Sequence, residues 1–386
     1  MLRKELTDVG GAFVITYPLL LAVAVWFYIL YFRAELPKKS TLEWISMYDR
    51  PAFRLTDARA PFSWHDVIWC LLPAVAALCL TLVSELSYYG AVNGLMIGAL
   101  DGGLAAVTSA ALYLLLKSMT GSLPAALLGT GLVSVNCFCQ NGNLLPAAVI
   151  ALFLWLWATG EGCGAGDWIF SGLAALCTGG SLLFGGDNVL LIVPLAACVV
   201  FVQAYRLRHK ACSFVRALLM TVYMVVLLVL AMVGAMAVYA VQAGLVLSTA
   251  LTDGSFVQFV LRAASDVFRG LAPLGSDIAK QHVVDAVYML PAHILLMIAA
   301  FPVLITAYIR RREPMALLIL AWTVTAAYLF FLGHAEYMSL AAACCSGYVT
   351  ARLLARKRTL PALLGGCVPL AMTLLVAVGF LLPYFE

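Results

Sequence analysis

Long uncharged runs recur along the whole chain and constrain its fold more than any motif does. Residues 11–32, 217–245 and 360–383 each lack Asp, Glu, Lys and Arg. Apolar runs of roughly 20 residues are typical of transmembrane helices, because a lipid core leaves backbone groups no partner outside their own segment. Charged residues make up 11% of the chain, against about 25% in soluble domains. The sequence therefore predicts an all-α, polytopic transmembrane helical bundle and excludes a soluble globule.

We expect about twelve spans within a single transmembrane domain that covers residues 1–386. Their approximate bounds are 11–32, 67–84, 94–116, 122–138, 144–159, 168–184, 188–204, 217–245, 288–308, 315–332, 338–354 and 360–383. The first run is too long for the apolar region of a signal peptide, so it is expected to remain as a helix.

Twelve spans place most of the basic residues on one side. Of the 23 lysines and arginines, the other side receives five: Arg3, Lys4, Arg262, Arg269 and Lys280. Cytoplasmic loops carry the excess of positive charge. The chain is therefore expected to be a multi-pass protein of a bacterial plasma membrane with its basic loops in the cytoplasm. Loop charges account for the net charge of +4, which does not indicate a nucleic-acid partner; membrane lipid is the expected partner.

The opposite, extracytoplasmic side collects acids, amides and aromatic residues. The sequence His334-Ala335-Glu336-Tyr337 lies between two apolar runs, so it must form a tight turn at a membrane face. Asp187 and Asn188 follow two glycines, and Asn141 lies in an Asn-Gly-Asn sequence. These residues are candidate ligands for a polar substrate. Ordinary turn and helix-cap roles remain the alternative for each of them.

Glu85 and Asp101 are the candidate general bases. Asp101 lies about two turns inside the third predicted span, where a charge costs at least about 2.5–3.5 kcal/mol and needs a wet cavity or a partner. The neighbouring Gly98, Gly102 and Gly103 would leave room for a bound group. Two simpler interpretations stay open: Asp101 as a helix cap in water and Glu85 as a solvated helix end.

Two connecting segments are expected to lie along the membrane surface. Residues 33–65 form a cytoplasmic interfacial segment, and residues 251–287 form an extracytoplasmic amphipathic segment with apolar residues at helical spacing. The apolar face of the second segment can pack in lipid or against the bundle. Both segments are either connectors or elements that shape a substrate site.

Three stretches resemble the GT-C superfamily, the multi-pass glycosyltransferases that use polyprenyl-phosphate sugars, and in particular family-39-like enzymes such as protein mannosyltransferases. They are Leu127–Trp157 with its Asn-rich turn, Trp168–Ala197 with its polar turn, and Arg310–Leu354 with its basic cluster and His334–Tyr337. The likeness lies in layout and composition over about two-thirds of the chain. The segment between the second and third spans, Glu85–Asn93, lacks the Asp-Glu pair that the family often carries there.

The resemblance implies a GT-C-like bundle that transfers a sugar from a polyprenyl-phosphate donor to an acceptor at the extracytoplasmic face. Glu85 or Asp101 would take the place of the family's base, although neither matches its motif. Substrate binding falls to the remaining polar residues of that face, namely Asn141, Asp187, Asn188, Arg262, Arg269, His334, Glu336 and Tyr337. Because cations are scarce there, a divalent metal ion or the two arginines would stabilise the leaving phosphate.

Two other classes of function fit the same sequence. The first is a transporter or flippase for a lipid or small solute, with Asp101 in its pathway. The second is a non-catalytic membrane subunit of an envelope assembly. The chain has no GxxxxGK[ST] sequence, so an ATP-driven pump is not expected.

Overall fold

A computed structural model gives the fold. It describes residues 64–136, 144–160, 164–208, 210–270, 280–281, 283–284, 290–311, 314–355 and 359–381. Within these residues there are thirteen α-helices and no strand. In chain order the helices are α1 Trp64–Tyr89, α2 Ala91–Thr120, α3 Leu123–Ser134, α4 Leu144–Ala158, α5 Ala165–Gly180, α6 Ile192–Arg208, α7 Phe214–Gln242, α8 Leu247–Thr252, α9 Ser255–Gly270, α10 Pro291–Arg311, α11 Pro314–Phe331, α12 Tyr337–Ala355 and α13 Thr359–Leu381.

Seven of the described helices are long and apolar enough to cross a membrane: α1, α2, α6 with the 3₁₀ turn before it, α7, α10, α12 and α13. The helices α3, α4 and α11 are apolar but shorter. The all-α, multi-pass character is therefore confirmed, and the count of about twelve spans stays a prediction. The expected first span and residues 33–63 of the interfacial segment lie outside the described residues, and residues 64 and 65 begin α1.

The helices run back and forth between two ends of the bundle. Lys117, near the end of α2, lies 3.5 Å from Asp66 at the start of α1. Arg206 of α6 reaches back to Asp167 of α5 at the same end, which we call the Arg206 end. At the other end, His334 meets Asp187, and we call it the His334 end. The turn between α1 and α2 also lies at the His334 end, because α1 runs away from the Asp66–Lys117 pair.

Helix α12 lies at the centre, and its sequence explains how neighbours can approach it so closely. Ala341, Ala342 and Ala343 are completely buried. A Cβ atom added to Gly129 of α3 would lie 2.8 Å from the Ala343 carbonyl oxygen, so the two backbones touch. Small residues permit such contact between membrane helices, where van der Waals packing replaces the hydrophobic effect.

The amphipathic helix α9 packs against the membrane bundle at the His334 end. Phe256 is buried with Ala240 of α7 and Ala250 of α8, and Phe259 is partly buried beside them. On the other side of α9, Leu261 is exposed. The helix also touches the short turn Gly186–Leu191, so it lies beside the polar residues of this end.

Candidate functional site

A helix-ending turn fixes the backbone of His334. The amide of Gly333 donates to the carbonyl of Phe330, and the amide of His334 donates to the carbonyl of Leu329. This pair of bonds is the Schellman motif, which requires a left-handed residue at the position that glycine occupies here. Gly333 has a φ of 102°. The tight turn expected from the sequence therefore forms, and it places His334 just outside the end of α11.

A second turn carries Asp187 to the same place. Two 3₁₀ turns, Ser181–Leu183 and Gly186–Leu191, join α5 to α6. The Asn188 amide nitrogen donates to the Ser181 carbonyl at 2.9 Å. The Tyr239 hydroxyl of α7 donates to the Leu182 carbonyl at 2.6 Å. These side chains give the irregular backbone the partners that a regular helix would have supplied.

His334 bridges two carboxylates. Its Nε2 lies 2.9 Å from Oδ2 of Asp187, and its Nδ1 lies 3.2 Å from Oε1 of Glu336. The side chain of Asp187 is 38% exposed, that of His334 is 25% exposed and that of Glu336 is 10% exposed. An ionised carboxylate only accepts hydrogen bonds, so contacts at both ring nitrogens suit the doubly protonated imidazolium. The cluster therefore runs from a reachable carboxylate to a nearly buried one.

The pKa of His334 is raised above its ordinary value. The hydrogen bond to Glu336 is the largest cause, and the charges of Glu336 and Asp187 act in the same direction. Partial burial opposes them, because desolvation disfavours the cation. The two carboxylates thus make His334 hold its proton more tightly than an isolated histidine would.

Two further side chains from the predicted site pair with each other. The Tyr337 hydroxyl donates to Oδ1 of Asn188, and both residues are buried. The Tyr337 ring also packs edge-on against the His334 ring, with centroids 6.3 Å apart. Five residues that the sequence assigned to substrate binding therefore converge at one place: Asp187, Asn188, His334, Glu336 and Tyr337.

Glu85 and Asp101 lie on a different element, the α1–α2 hairpin. Each is half-buried. A Cβ atom added to Gly98 would meet Leu82 and Glu85 of α1, and one added to Gly102 would meet Leu78. The space beside these two glycines, which the sequence suggested for a bound group, is therefore filled by α1, whereas a Cβ atom added to Gly103 would have nothing within 4 Å.

The other three residues predicted to bind substrate are Arg262, Arg269 and Asn141. Arg262 is exposed on α9. Arg269 lies in the last turn of the same helix, and Asn141 lies outside the described residues.

Sequence reasoning missed His293, in the first turn of α10. Its side chain is buried, it shares a hydrogen bond with the backbone of Leu132, and its Nε2 has no hydrogen-bond partner among the described residues. An ionisable residue inside a membrane span is a functional candidate by default. The signal was available, because His293 is the one histidine within the apolar run 288–308.

The described residues do not fit a metal centre. Among them no three His, Cys, Asp or Glu side chains are placed to hold a metal ion. Both ring nitrogens of His334 already face carboxylates. The divalent metal expected from the resemblance therefore has no site in this part of the chain.

Comparison of the chain with models of protein families, with curated proteins and with solved structures finds no match.

Proposed function

We propose that the chain is a multi-pass membrane glycosyltransferase that moves a sugar from a polyprenyl-phosphate donor to an acceptor. The His334 end faces the extracytoplasmic side, and the Arg206 end, with its arginines and lysines, faces the cytoplasm. The observation that carries this proposal is the Asp187–His334–Glu336 cluster. It holds a reachable carboxylate at the boundary of the spans, where a lipid-linked donor and a polar acceptor can meet.

In this reaction Asp187 is the general base. An acceptor hydroxyl or amine gives its proton to the Asp187 carboxylate while its oxygen or nitrogen forms the bond to the anomeric carbon. The bond from that carbon to the phosphate oxygen breaks, and the lipid phosphate leaves with the electron pair. His334, held by Glu336, donates from Nε2 to Oδ2 of Asp187 and orients this carboxylate, and the exposed Asp187 carboxyl then releases the acceptor's proton to solvent. The position and exposure of the Asp187 carboxylate support this assignment, which departs from the base at Glu85 or Asp101 expected from the sequence.

Glu85 and Asp101 remain the competing bases. They lie at the same end as the cluster on the α1–α2 hairpin, with Asp101 deeper in its helix. Asp187 is preferred because its carboxylate is oriented by a partner, whereas Glu85 and Asp101 have no hydrogen bond among the described residues. A positioned base contributes typically about 10²–10⁴-fold to a rate, and the variants below separate the three.

The test is transfer of labelled sugar by purified protein in lipid nanodiscs, with polyprenyl-phosphate sugars as donors and a mixture of hydroxyl and amine acceptors. Asp187→Asn is expected to lower the transfer rate at least about 100-fold. Asp253→Asn is the matched control, because Asp253 is an exposed acid at the same end and its carboxylate also accepts a hydrogen bond, from the backbone amide of Ser255. It should leave the rate unchanged. Loss of transfer in Glu85→Gln or Asp101→Asn, with Asp187→Asn unaffected, would move the base to the hairpin.

A proton-coupled transporter or flippase is the second candidate. The observation that favours it is the same carboxylate–imidazole–carboxylate arrangement, which can bind and release a proton, together with two half-buried acids on a span hairpin. Proton-driven solute uptake into vesicles without any sugar donor, lost in His334→Gln, would support it over the transferase. Absence of both transfer and uptake would leave the third class, a non-catalytic subunit.

A further inference from the structure

Two cross-links join the same two segments at the His334 end. One is the hydrogen bond between Tyr337 of α12 and Asn188 of the turn Gly186–Leu191. The other is the contact between His334, three residues before Tyr337, and Asp187, the residue next to Asn188. The two cross-links are therefore neighbours along both segments. Whatever holds one pair together raises the effective concentration of the other pair.

The first cross-link is the better protected. Tyr337 and Asn188 are 3% and 2% exposed, and the Asn188 amide also donates to the backbone of Ser181, which is 1% exposed. In contrast, the Asp187 side chain is 38% exposed. A buried hydrogen bond is costly to leave unmade, whereas an exposed ion pair is weak on its own. The buried pair is thus the element able to determine where the exposed carboxylate stands.

The turn that carries Asp187 has little structure of its own. It starts at Gly186, directly after Gly185, and is a 3₁₀ turn of six residues, a geometry with poorer hydrogen bonds than an α-helix. Besides its continuation into α6, side-chain contacts fix its position relative to α12. The Tyr337–Asn188 bond supplies one to α12 itself.

We propose that Tyr337 and Asn188 are positioning residues that act through Asp187, by fixing its carboxylate against His334. They do not contact the substrate, which departs from the substrate-binding role expected from the sequence. The inference deepens the proposed function, since it names what orients the base. Its consequence, a change in the protonation equilibrium of His334, can be measured without any substrate.

The consequence is measurable at His334. Two carboxylates face its ring among the described residues, Asp187 at Nε2 and Glu336 at Nδ1, and the Tyr337 ring packs beside it. Tyr337→Phe removes the hydroxyl and leaves Oδ1 of Asn188 buried without that donor. The turn then separates from α12 for part of the time, so Asp187 no longer stabilises the imidazolium. The proton affinity of His334 is expected to fall about three- to tenfold, which is half to one pKa unit.

The experiment is a pH titration by NMR of protein with labelled histidine rings in nanodiscs, with the His334 signal identified by its loss in His334→Gln. Tyr348→Phe is the matched control. Tyr348 is a buried tyrosine on α12 whose hydroxyl also has a side-chain partner, Arg352, but it lies eleven residues, or about 16 Å, toward the other end. It should leave the His334 titration unchanged.

The same substitution in a protein that lacks the Asp187 carboxylate tests whether Tyr337 acts through Asp187. If Tyr337 acts through Asp187, Tyr337→Phe has no further effect on the His334 titration once Asp187 is Ala. An equal shift with and without Asp187, an unchanged titration in Tyr337→Phe, or the same shift in Tyr348→Phe would each overturn the proposal. If Tyr337→Phe fails to fold, Asn188→Ser breaks the same bond from the other side and must lower the His334 proton affinity likewise.

The outcomes for the two proposals are separable. If Tyr337→Phe lowers the proton affinity of His334 as expected but the unchanged protein transfers no sugar, the transferase is refuted and the positioning pair is kept. Sugar transfer that depends on Asp187, together with a His334 titration that is identical in Tyr337→Phe and the unchanged protein, would keep the transferase and refute the positioning pair.

Discussion

The buried ion pair at the Arg206 end gives the sharpest stability prediction. Nη2 of Arg206 donates to the Asp167 carboxylate at 2.9 Å and to the carbonyls of Trp157 and Gly160 at 2.6 and 3.3 Å. The guanidinium also lies over the Trp157 ring, 5.4 Å from its centroid. The side chains of Arg206 and Asp167 are 4% and 2% exposed. One cation thus joins the end of α4, the start of α5 and the end of α6.

Arg206→Met removes this cation while keeping much of the side-chain volume. Among the residues that the structure describes, the Asp167 carboxylate would then keep the Gly164 amide, 3.1 Å away, as its hydrogen-bond donor. Removing one member of a buried pair costs about 3–5 kcal/mol, because the other charge stays buried without compensation. The double variant Arg206→Met/Asp167→Leu leaves no unpaired ion. It should therefore lose less free energy of unfolding than Arg206→Met alone.

The assay is reversible unfolding in mixed micelles with increasing sodium dodecyl sulfate, followed by helical circular dichroism and tryptophan fluorescence. Arg208→Met is the matched control: it makes the same change two residues later, at an exposed position on the same helix, and should fall within about 0.5 kcal/mol of the unchanged protein. The reasoning is refuted if Arg206→Met costs less than about 1 kcal/mol, or if the double variant costs the sum of its two single variants.

Three further predictions follow from close contacts and from the His334 cluster. Gly179→Ala should cost about 1–3 kcal/mol, because its Cβ atom would lie 2.6 Å from the Leu228 carbonyl oxygen of α7, whereas Gly180→Ala, with nothing within 4 Å, should be near neutral in the same micelle assay. Gly94→Ala should disrupt the α1–α2 hairpin, since its Cβ atom would lie 2.5 Å from the Glu85 carbonyl oxygen. A disulfide between two cysteines introduced on the facing sides of α1 and α2 should then no longer form. If that disulfide still forms, the packing argument is wrong. The raised pKa of His334 means that its contribution to stability is fully present below the unfolded pKa of about 6.5 and is lost as pH rises through the higher folded value. Unfolding midpoints measured across that window should fall in the unchanged protein and stay level in His334→Gln, and parallel curves would remove the cluster from the stability of the fold.

Part of the candidate site could be predicted from local sequence. His334 follows a glycine between two apolar runs, so a helix-ending turn at a membrane face is the expected structure, and the Schellman motif at Gly333 confirms the turn. Asp187 similarly follows Gly185 and Gly186. The contact between them spans 147 residues. No period or motif links positions so far apart, and only the packing of α5, α6, α11 and α12 brings the two turns together.

The glycines near Asp101 show the opposite case. Gly98 and Gly102 were interpreted as room for a bound group, because glycine leaves space beside a backbone. The structure fills that space with Leu82 and Leu78 of α1. Spacing by four residues places small residues on one helix face in either interpretation, so the sequence alone does not distinguish a ligand from a neighbouring helix.

Local sequence was sufficient to predict the class of structure, because uncharged runs of this length can satisfy their backbone groups in lipid only as helices. The division of basic residues from acids and amides between the two membrane faces stays a prediction, since it depends on the number of spans. The tertiary structure decided which polar residues meet. It joined Asp187, His334 and Glu336, buried Tyr337 against Asn188, and closed Arg206 onto Asp167. The physical reason is that hydropathy is local along the chain, whereas hydrogen bonds and ion pairs depend on how whole helices pack in space.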